Sequence, residues 1–398
     1  MRRSVIWIGF ALLLLLLPHL FPSLLAIAVL NQMLIAMVFA LSYNMLLGQG
    51  GMLSFGHAVY FGLGGFIAVH ALLRMENETL AFSVTLLPLC GGLCGLLAAL
   101  LIGSFSTRRA GTVFAMISLG IGELIAGLSL ILVSFFGGEA GIGADRSSGP
   151  PFFGNDFAQD VQVYYLAAAW TLVSVLCMYL FTLTPAGRMA NAVRDNPIRA
   201  ECSGYSAQRV RLISFLGAGF FAGIAGGLYA LHNELMTDQS LGSAASGNVL
   251  LMTYIGGLGV FVGPLIGAAL LTLLNAVLSY HTELWQLYLG ILFVLTVIFL
   301  PQGLSGFALL HRHVWRHGKL RQLSKPYALT ALPALGCGVC IVALLETLHG
   351  GAGMPDRLFY GAVFGGASLL CFLLWRRTLP QLREAWHVAN AAADEEQP

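Results

Sequence analysis

The chain has 398 residues, 58% hydrophobic and only 10% charged, and its 20 Lys and Arg against 18 Asp and Glu leave a formal charge of +2. A soluble domain carries about 25% charged residues, so this composition excludes a soluble fold, and the near-neutral balance argues against a nucleic-acid partner. What it predicts is an all-α, polytopic transmembrane helical bundle, because apolar runs recur from end to end and most exceed the ~18 residues that mark a spanning helix.

The start MRRSVIWIGFALLLLLL has the basic flank and apolar run of a signal peptide, but PHLFPS follows in place of a small-residue cleavage site, so it reads as a retained first helix. Apolar segments then run over Val5–Leu20, Leu24–Leu47, Phe55–Leu73, Leu80–Gly103, Thr112–Phe135, Val161–Leu183, Leu212–Leu231, Phe261–Ser279, Leu284–Leu300, Tyr327–Leu348 and Leu358–Trp375. The ~20-residue criterion makes about ten to eleven crossings of these. Arg2 and Arg3 predict the amino terminus inside. Alternation then puts Arg108, Arg109 and the 188–211 loop inside, and the 74–79 and 136–160 loops outside.

Between the second and third segments the sequence LSYNMLLGQGGMLSFGHAVYFGLGGFIA (41–68) interrupts an apolar span with glycines, an asparagine and a histidine. Backbone that stops being helical in lipid must be buried in protein or line a wet cavity, so a helix break is expected over 48–56 at Gly48, Gly50 and Gly51. Asn44, Ser54 and His57 are candidates for a translocation path, with a glycine-rich helix contact and a structural histidine as the alternatives. Glu123 is the strongest anomaly of the fifth segment: a carboxylate near mid-span needs a partner, water or a proton.

The glycine- and proline-rich loop 137–160 is expected to be a docking surface through Glu139, Asp145, Arg146 and Asp156, or else a solvated connector. In the loop 184–211, charges alternate with Ala, Met, Val and Ile, which predicts a short amphipathic helix starting at Pro185 and ending at Gly204. Such a helix can receive force from a partner. A second break is expected over 248–264 at Gly256, Gly257 and Gly259, since a full crossing there would send the basic run 311–325 to the outer face. Two breaks in opposite halves suggest paired halves, as in carriers built from repeats.

Six of the seven cysteines fall in apolar stretches, where a thiol packs as a small hydrophobe, and Cys202 alone lies in a polar loop. The CGVC pair Cys337 and Cys340 is read as packing rather than redox chemistry. His311, His313 and His317 have no acidic or cysteine ligand close in sequence, so no metal site is expected. No nucleophile elbow surrounds Ser54 or any other serine, which argues against an intramembrane hydrolase.

The pieces ALSYNMLLGQGGMLSFGHAVYFGLGGF (40–66), SLGIGEL (118–124), GGEAGI (137–142), TPAGR with AVRDN and AECSGY (184–205), LISFLGAGFFAGIAGGLYA (212–230), MTYIGGLGVFVGPLIGA (252–268) and LPQGL (300–304) occur in this order. Together they resemble the permease subunits of branched-chain amino acid ABC importers, a family that includes urea and amide permeases. The resemblance covers about residues 25–305. It implies a cell inner-membrane transport subunit acting by alternating access, a second homologous permease, two ATPase subunits carrying ATP and Mg, and an external solute-binding protein. It makes Arg188, Arg194, Asn196, Glu201 and Gly204 contacts for the ATPase, and it assigns no catalytic residue. Lys319 and Lys325 are the sole lysines and neither supplies a phosphate loop, so no cofactor is expected on this chain. Two departures stand out: Met52 replaces a common glutamine, and Ile125, Ala126 and Gly127 follow Glu123 where an arginine is common. Urea or amide transport, or a stand-alone proton-coupled carrier using Glu123, are the competing readings. The expected organisation is a permease domain over 1–305, a basic linker over 306–326 and an added two-helix membrane extension with its tail over 327–398.

Overall fold

The computed structural model describes residues 2–77, 83–148, 156–300, 302–316, 320–349 and 363–381. The expected helix starts at Leu80 and Leu358, residues 78–79 and 149–155 of the two outer loops, His317 and the acidic tail lie outside the described residues, as does the side chain of His313. By contacts the chain divides into two units, Met1–Ser305 and Gly306–Pro398.

In the first unit the helices are α1 (Arg2–Leu20), α2 (Leu24–Asn44), α3 (Ala58–Glu76), α4 (Leu87–Ser106), α5 (Thr112–Ile131), α6 (Asp160–Leu183), α7 (Pro185–Asp195), α8 (Pro197–Cys202), α9 (Ala207–Asn233), α10 (Ser243–Gly256), α11 (Gly263–His281) and α12 (Trp285–Phe299). The helix α13 (Gly303–Arg316) follows. The second unit holds α14 (Leu320–His349) and a helix α15 over 363–381. Among the described residues, eight helices are long and apolar enough to cross a membrane, or up to nine if Trp285–Phe299 and the bent segment Gly303–Leu309 count as one. α14 carries two internal prolines, Pro326 and Pro333, and the Thr330 hydroxyl donates to the Pro326 carbonyl at 2.9 Å.

The helices begin where the sequence satisfies their first amides or needs none. Ser23 accepts from the Ala26 amide at 3.3 Å, and Pro88 and Pro264 occupy first-turn positions that lack an intrahelical donor role. α9, 27 residues long, is the axis against which α2, α3 and α4 pack. Its small residues permit this: a β-carbon on Gly64 of α3 would lie 2.6 Å from Gly223 Cα, and one on Gly91 of α4 would lie 2.6 Å from the Gly223 carbonyl. Three backbones meet at that point, and close backbone approach is what drives helix association where lipid removes the hydrophobic force. Adding a methyl there would part the helices.

Around this axis a core of buried Leu30, Leu34, Phe39, Leu41, Tyr43, Phe114, Tyr164 and Phe215 fills the space. Arg108 and Arg109 follow α4 in a tight turn. On the opposite side, Ile142–Gly143 pairs antiparallel with Leu235–Met236, a two-strand clip between the loop after α5 and the end of α9. The GGEAGI motif serves that clip, since Gly141, at φ +73, presses against the Met236 carbonyl and leaves no room for a side chain.

Candidate functional site

The first break follows directly from its composition. After Asn44 the helix widens over Met45–Gln49, with the Gly50 amide donating to the Met45 carbonyl at 3.2 Å and the Met52 amide to Leu46 at 3.0 Å. Gly51 then takes φ +64 and the chain runs non-helical to His57. A wide turn of this kind is uncommon and gathers at functional positions. Protein groups satisfy the released backbone: the Tyr43 hydroxyl donates to the Ser54 carbonyl at 2.9 Å, the Phe55 amide to Ser118 Oγ at 3.1 Å, and the Ala58 amide to Ser246 Oγ at 2.9 Å. The break is therefore buried in protein, the condition lipid imposes.

Three of the four path candidates lie within that buried break. Asn44, Ser54 and His57 are 3%, 1% and 0% exposed and belong to the packing between helices. Ser42 gives its only proton to the Phe39 carbonyl at 2.7 Å, so its Oγ accepts from His57 Nε2–H at 3.0 Å, which fixes the imidazole tautomer. The ring stacks on Phe39 at 5.5 Å. Asn44 Oδ1 and Gln49 Oε1 are buried without a hydrogen-bond partner among the described residues, a cost of about 1–3 kcal/mol each. The alternative reading of His57 as a structural histidine is the one that fits this geometry.

Glu123 is placed differently. It projects from the exposed face of α5 among Met116, Leu119, Leu124 and Ile131, all exposed. Gly120 and Gly127 on this helix face open space. A carboxylate on such a face costs about 3 kcal/mol at membrane depth unless protein or water covers it.

The polar segment 184–211 differs from the expected single helix. It forms two, α7 and α8, because Asn196 turns extended and its Oδ1 accepts from the Arg199 amide at 3.0 Å, capping α8. Asn196 is thus spent on the cap. Thr184 caps α7 through the Gly187 amide at 3.2 Å, and Gly204, at φ +87, ends the arm as expected. Ala190, Val193, Ala200, Ala207 and Val210 form its buried side, while Arg188 and Glu201 are exposed. Arg194 departs from the expected outward contact: its Nη1 donates to the Gly48 carbonyl, and its Cγ occupies the place where a β-carbon on Gly51 would come within 2.7 Å.

The second break ends α10 at Gly256, and Gly257 takes φ +106. Neither glycine can be larger, since Gly256 lies on the Gly263 carbonyl and Gly257 on the Gln302 carbonyl and Ser305 Oγ of the LPQGL loop. Gly303, also at positive φ, closes the same contact from the loop side, where a β-carbon would lie 2.8 Å from the Tyr254 carbonyl. Gly259 has open space around its missing side chain and no packing role among the described residues.

In the loop after α5, Arg146 is held by the protein's own groups. It is 8% exposed, and its guanidinium donates to Asp160 Oδ1 at 2.7 Å and to the carbonyls of Phe157 (2.9 Å), Ala158 (3.2 Å), His232 (3.3 Å) and Leu231 (3.4 Å). Its own amide donates to Glu234 Oε1 at 3.1 Å. It ties the loop after α5 to the start of α6 and the end of α9 rather than offering a charge to a partner. Glu139, Asp145 and Asp156 do stay exposed. The Ser147 amide and hydroxyl, donating at 2.8 and 2.7 Å, hold the Asp145 carboxyl below the usual carboxylate range.

Sequence reasoning missed Ser42, Ser118, Ser246, Asp160 and Glu234. The only sequence signal was a hydroxyl or carboxylate in or beside an apolar run. Two apolar grooves, about 390 Å³ beside Trp7, Tyr179 and Phe261 and about 320 Å³ beside Phe55, Tyr254 and Phe293, are lined by none of the four path candidates. Among the described residues no group of three His, Cys, Asp or Glu is placed to hold a metal. His311 instead pairs its Nε2 with the Tyr327 hydroxyl at 2.6 Å.

Comparison with known proteins gives consistent results. The family described as the permease component of the branched-chain amino acid transport system matches residues 25–297. The high-affinity branched-chain amino acid transport system permease proteins LivM of Salmonella typhimurium and of Escherichia coli are each 28% identical over 294 residues, 68% of either chain. The probable branched-chain amino acid transport permease protein LivH of Methanocaldococcus jannaschii is 24% identical over 269 residues, 64% of this chain and 82% of its own. No solved structure matches the chain.

Proposed function

We propose, for this chain that belongs to the branched-chain amino acid transport permease family, that it supplies one wall of a solute path which a second, homologous permease subunit completes. It is a multi-pass inner-membrane transport subunit. The observation that carries the proposal is Glu123 on the uncovered face of α5, because a carboxylate among exposed apolar residues needs a polar cover that the described residues do not provide. Across a paired interface the same carboxylate would face the passing solute.

In this reading the amino terminus and the α7–α8 arm lie on the cytoplasmic side, where the arm docks one of two ATPase subunits through Arg188 and Glu201. The acidic rim of Glu139, Asp145 and Asp156 lies outside and receives a solute-binding protein. ATP-driven closure of the ATPases would push the arm and exchange inward- and outward-open arrangements, so that binding energy becomes helix displacement. The solute class is the branched-chain amino acids, in keeping with the names of the relatives. This chain performs no covalent step in that cycle.

Reconstitution tests it. Proteoliposomes containing this chain, its companion permease, the ATPase and the binding protein should accumulate leucine only with ATP, and this chain alone should accumulate none. Uptake by the isolated chain on a proton gradient would replace the proposal with a secondary carrier. Urea displacing leucine from the binding protein would move the assignment to the amide branch.

A further inference from the structure

Three segments far apart in sequence meet at one glycine. From the cytoplasmic arm, Arg194 Nη1 donates to the Gly48 carbonyl, while its side-chain stem lies over Gly51, where a β-carbon would approach Arg194 Cγ to 2.7 Å and Cβ to 3.3 Å. From the second break, the Leu258 carbonyl lies 3.1 Å from where a Gly48 β-carbon would be, with Asn44 closer still on the other side. The next residue back, Gly257, rests on the Gln302 carbonyl and Ser305. Arm, first break, second break and the 300–305 loop are therefore in backbone-level contact in that order.

We propose that Arg194 is the positioning residue through which the α7–α8 arm moves both helix breaks together. The inference rests on the arm being the part a motor pushes, but it names a different thing: where the push enters the membrane domain. Three features of the contact suit this role. The bond ends on a backbone carbonyl, so displacement of the arm acts on main chain rather than on a side chain that can rotate away. The acceptor lies in the widened turn Met45–Gln49, the stretch of α2 whose regular hydrogen bonding has already been given up. The side chain of Arg194 is 39% exposed and among the described residues its only ion pair is with the neighbouring Asp195 at 2.9 Å, so no buried charge network among them restrains it from moving with the arm. Gly51 contributes by absence: with φ +64 and no side chain, it leaves the bed in which the arginine stem lies.

The test is a double-mutant cycle of Arg194→Gln, Gly51→Ala and the pair, read in two ways. On the purified chain, thermal unfolding reports the contact without any partner, and the double variant should unfold where the worse single variant does. In the reconstituted importer each single variant should lower leucine uptake roughly tenfold while the ATPase still hydrolyses ATP, so that ATP spent per solute rises, and the double should be no slower than the worse single. Arg194→Lys, which keeps the stem and one donor, should recover most of the uptake and guards against a Gly51→Ala chain that fails to fold. Losses that add in both readouts, or uptake and ATP hydrolysis falling in proportion, would overturn the proposal. If the intact assembly brings down no ATPase, the importer reading fails, and the unfolding cycle still judges the contact.

Discussion

Two arginines hold the two ends of this protein in opposite ways. Arg146, in the loop after α5, is buried and saturated, with its guanidinium on Asp160 and four backbone carbonyls, and its amide on Glu234. Arg194 at the arm keeps much of its side chain in solvent and spends one donor on the Gly48 carbonyl. A buried cation surrounded by fixed acceptors has no second arrangement of similar energy, whereas a surface cation with one main-chain bond exchanges that bond at little cost. The Arg146 contact is built as a lock, and under the proposal the arm serves as a handle.

The comparison breaks most visibly at Arg146. Removing one partner of a buried pair costs 3–5 kcal/mol, and because Asp160 retains 27% exposure and can rehydrate, Arg146→Met should lose about 3 kcal/mol. Thermal unfolding in detergent should show it as a large fall in Tm, and an unchanged Tm would mean that the Arg146 contact is not a lock. Next in size is the handle itself. Glu201→Lys reverses an exposed charge on α8 and should abolish uptake with membrane insertion intact; uptake assays beside quantified membrane protein decide between loss of coupling and loss of chain.

Glu123→Gln probes the open face of α5, where no stabilising contact with the described residues is lost. Uptake should fall several-fold with stability changed by less than about 0.5 kcal/mol, and unchanged uptake at every pH would remove the residue from the path. The smallest effect belongs to Asp145. Its folded carboxyl value is depressed by the Ser147 donors, so its contribution is full above the ordinary carboxylate range and is lost as pH falls through the folded value. Asp145→Asn should therefore shift stability by less than about 0.5 kcal/mol at pH 7, and by nothing in strong acid, as a pH series of unfolding curves would show.

Both arginines had the same reading in one dimension. Each stands in a polar loop among glycines or small residues, and a charge in a loop is ordinarily a solvated one, so both were expected to face partners. Nothing local distinguishes Arg146, whose acceptors come from residues 157–160 and 231–234. The same holds for His57, whose fate depends on Ser42 and Phe39 of α2 folding back across it. Asn196 carried a signal that could have been used, since an Asn before Pro197 at the start of an apolar-periodic stretch is a helix cap.

The sequence alone determined the membrane class, the succession of helices, the two glycine breaks and the polar arm, because each follows from local chemistry: apolar run length, the cost of free backbone in lipid, and the periodicity of charge. Only the tertiary structure decided which polar residues are spent on packing and which remain available, because several donors are satisfied by groups far away in sequence, as the bonds Phe55 to Ser118, 63 positions apart, and Ala58 to Ser246, 188 apart, illustrate. Separation in sequence carries no record of those pairings, and in a bundle every one of them is fixed by how the helices cross.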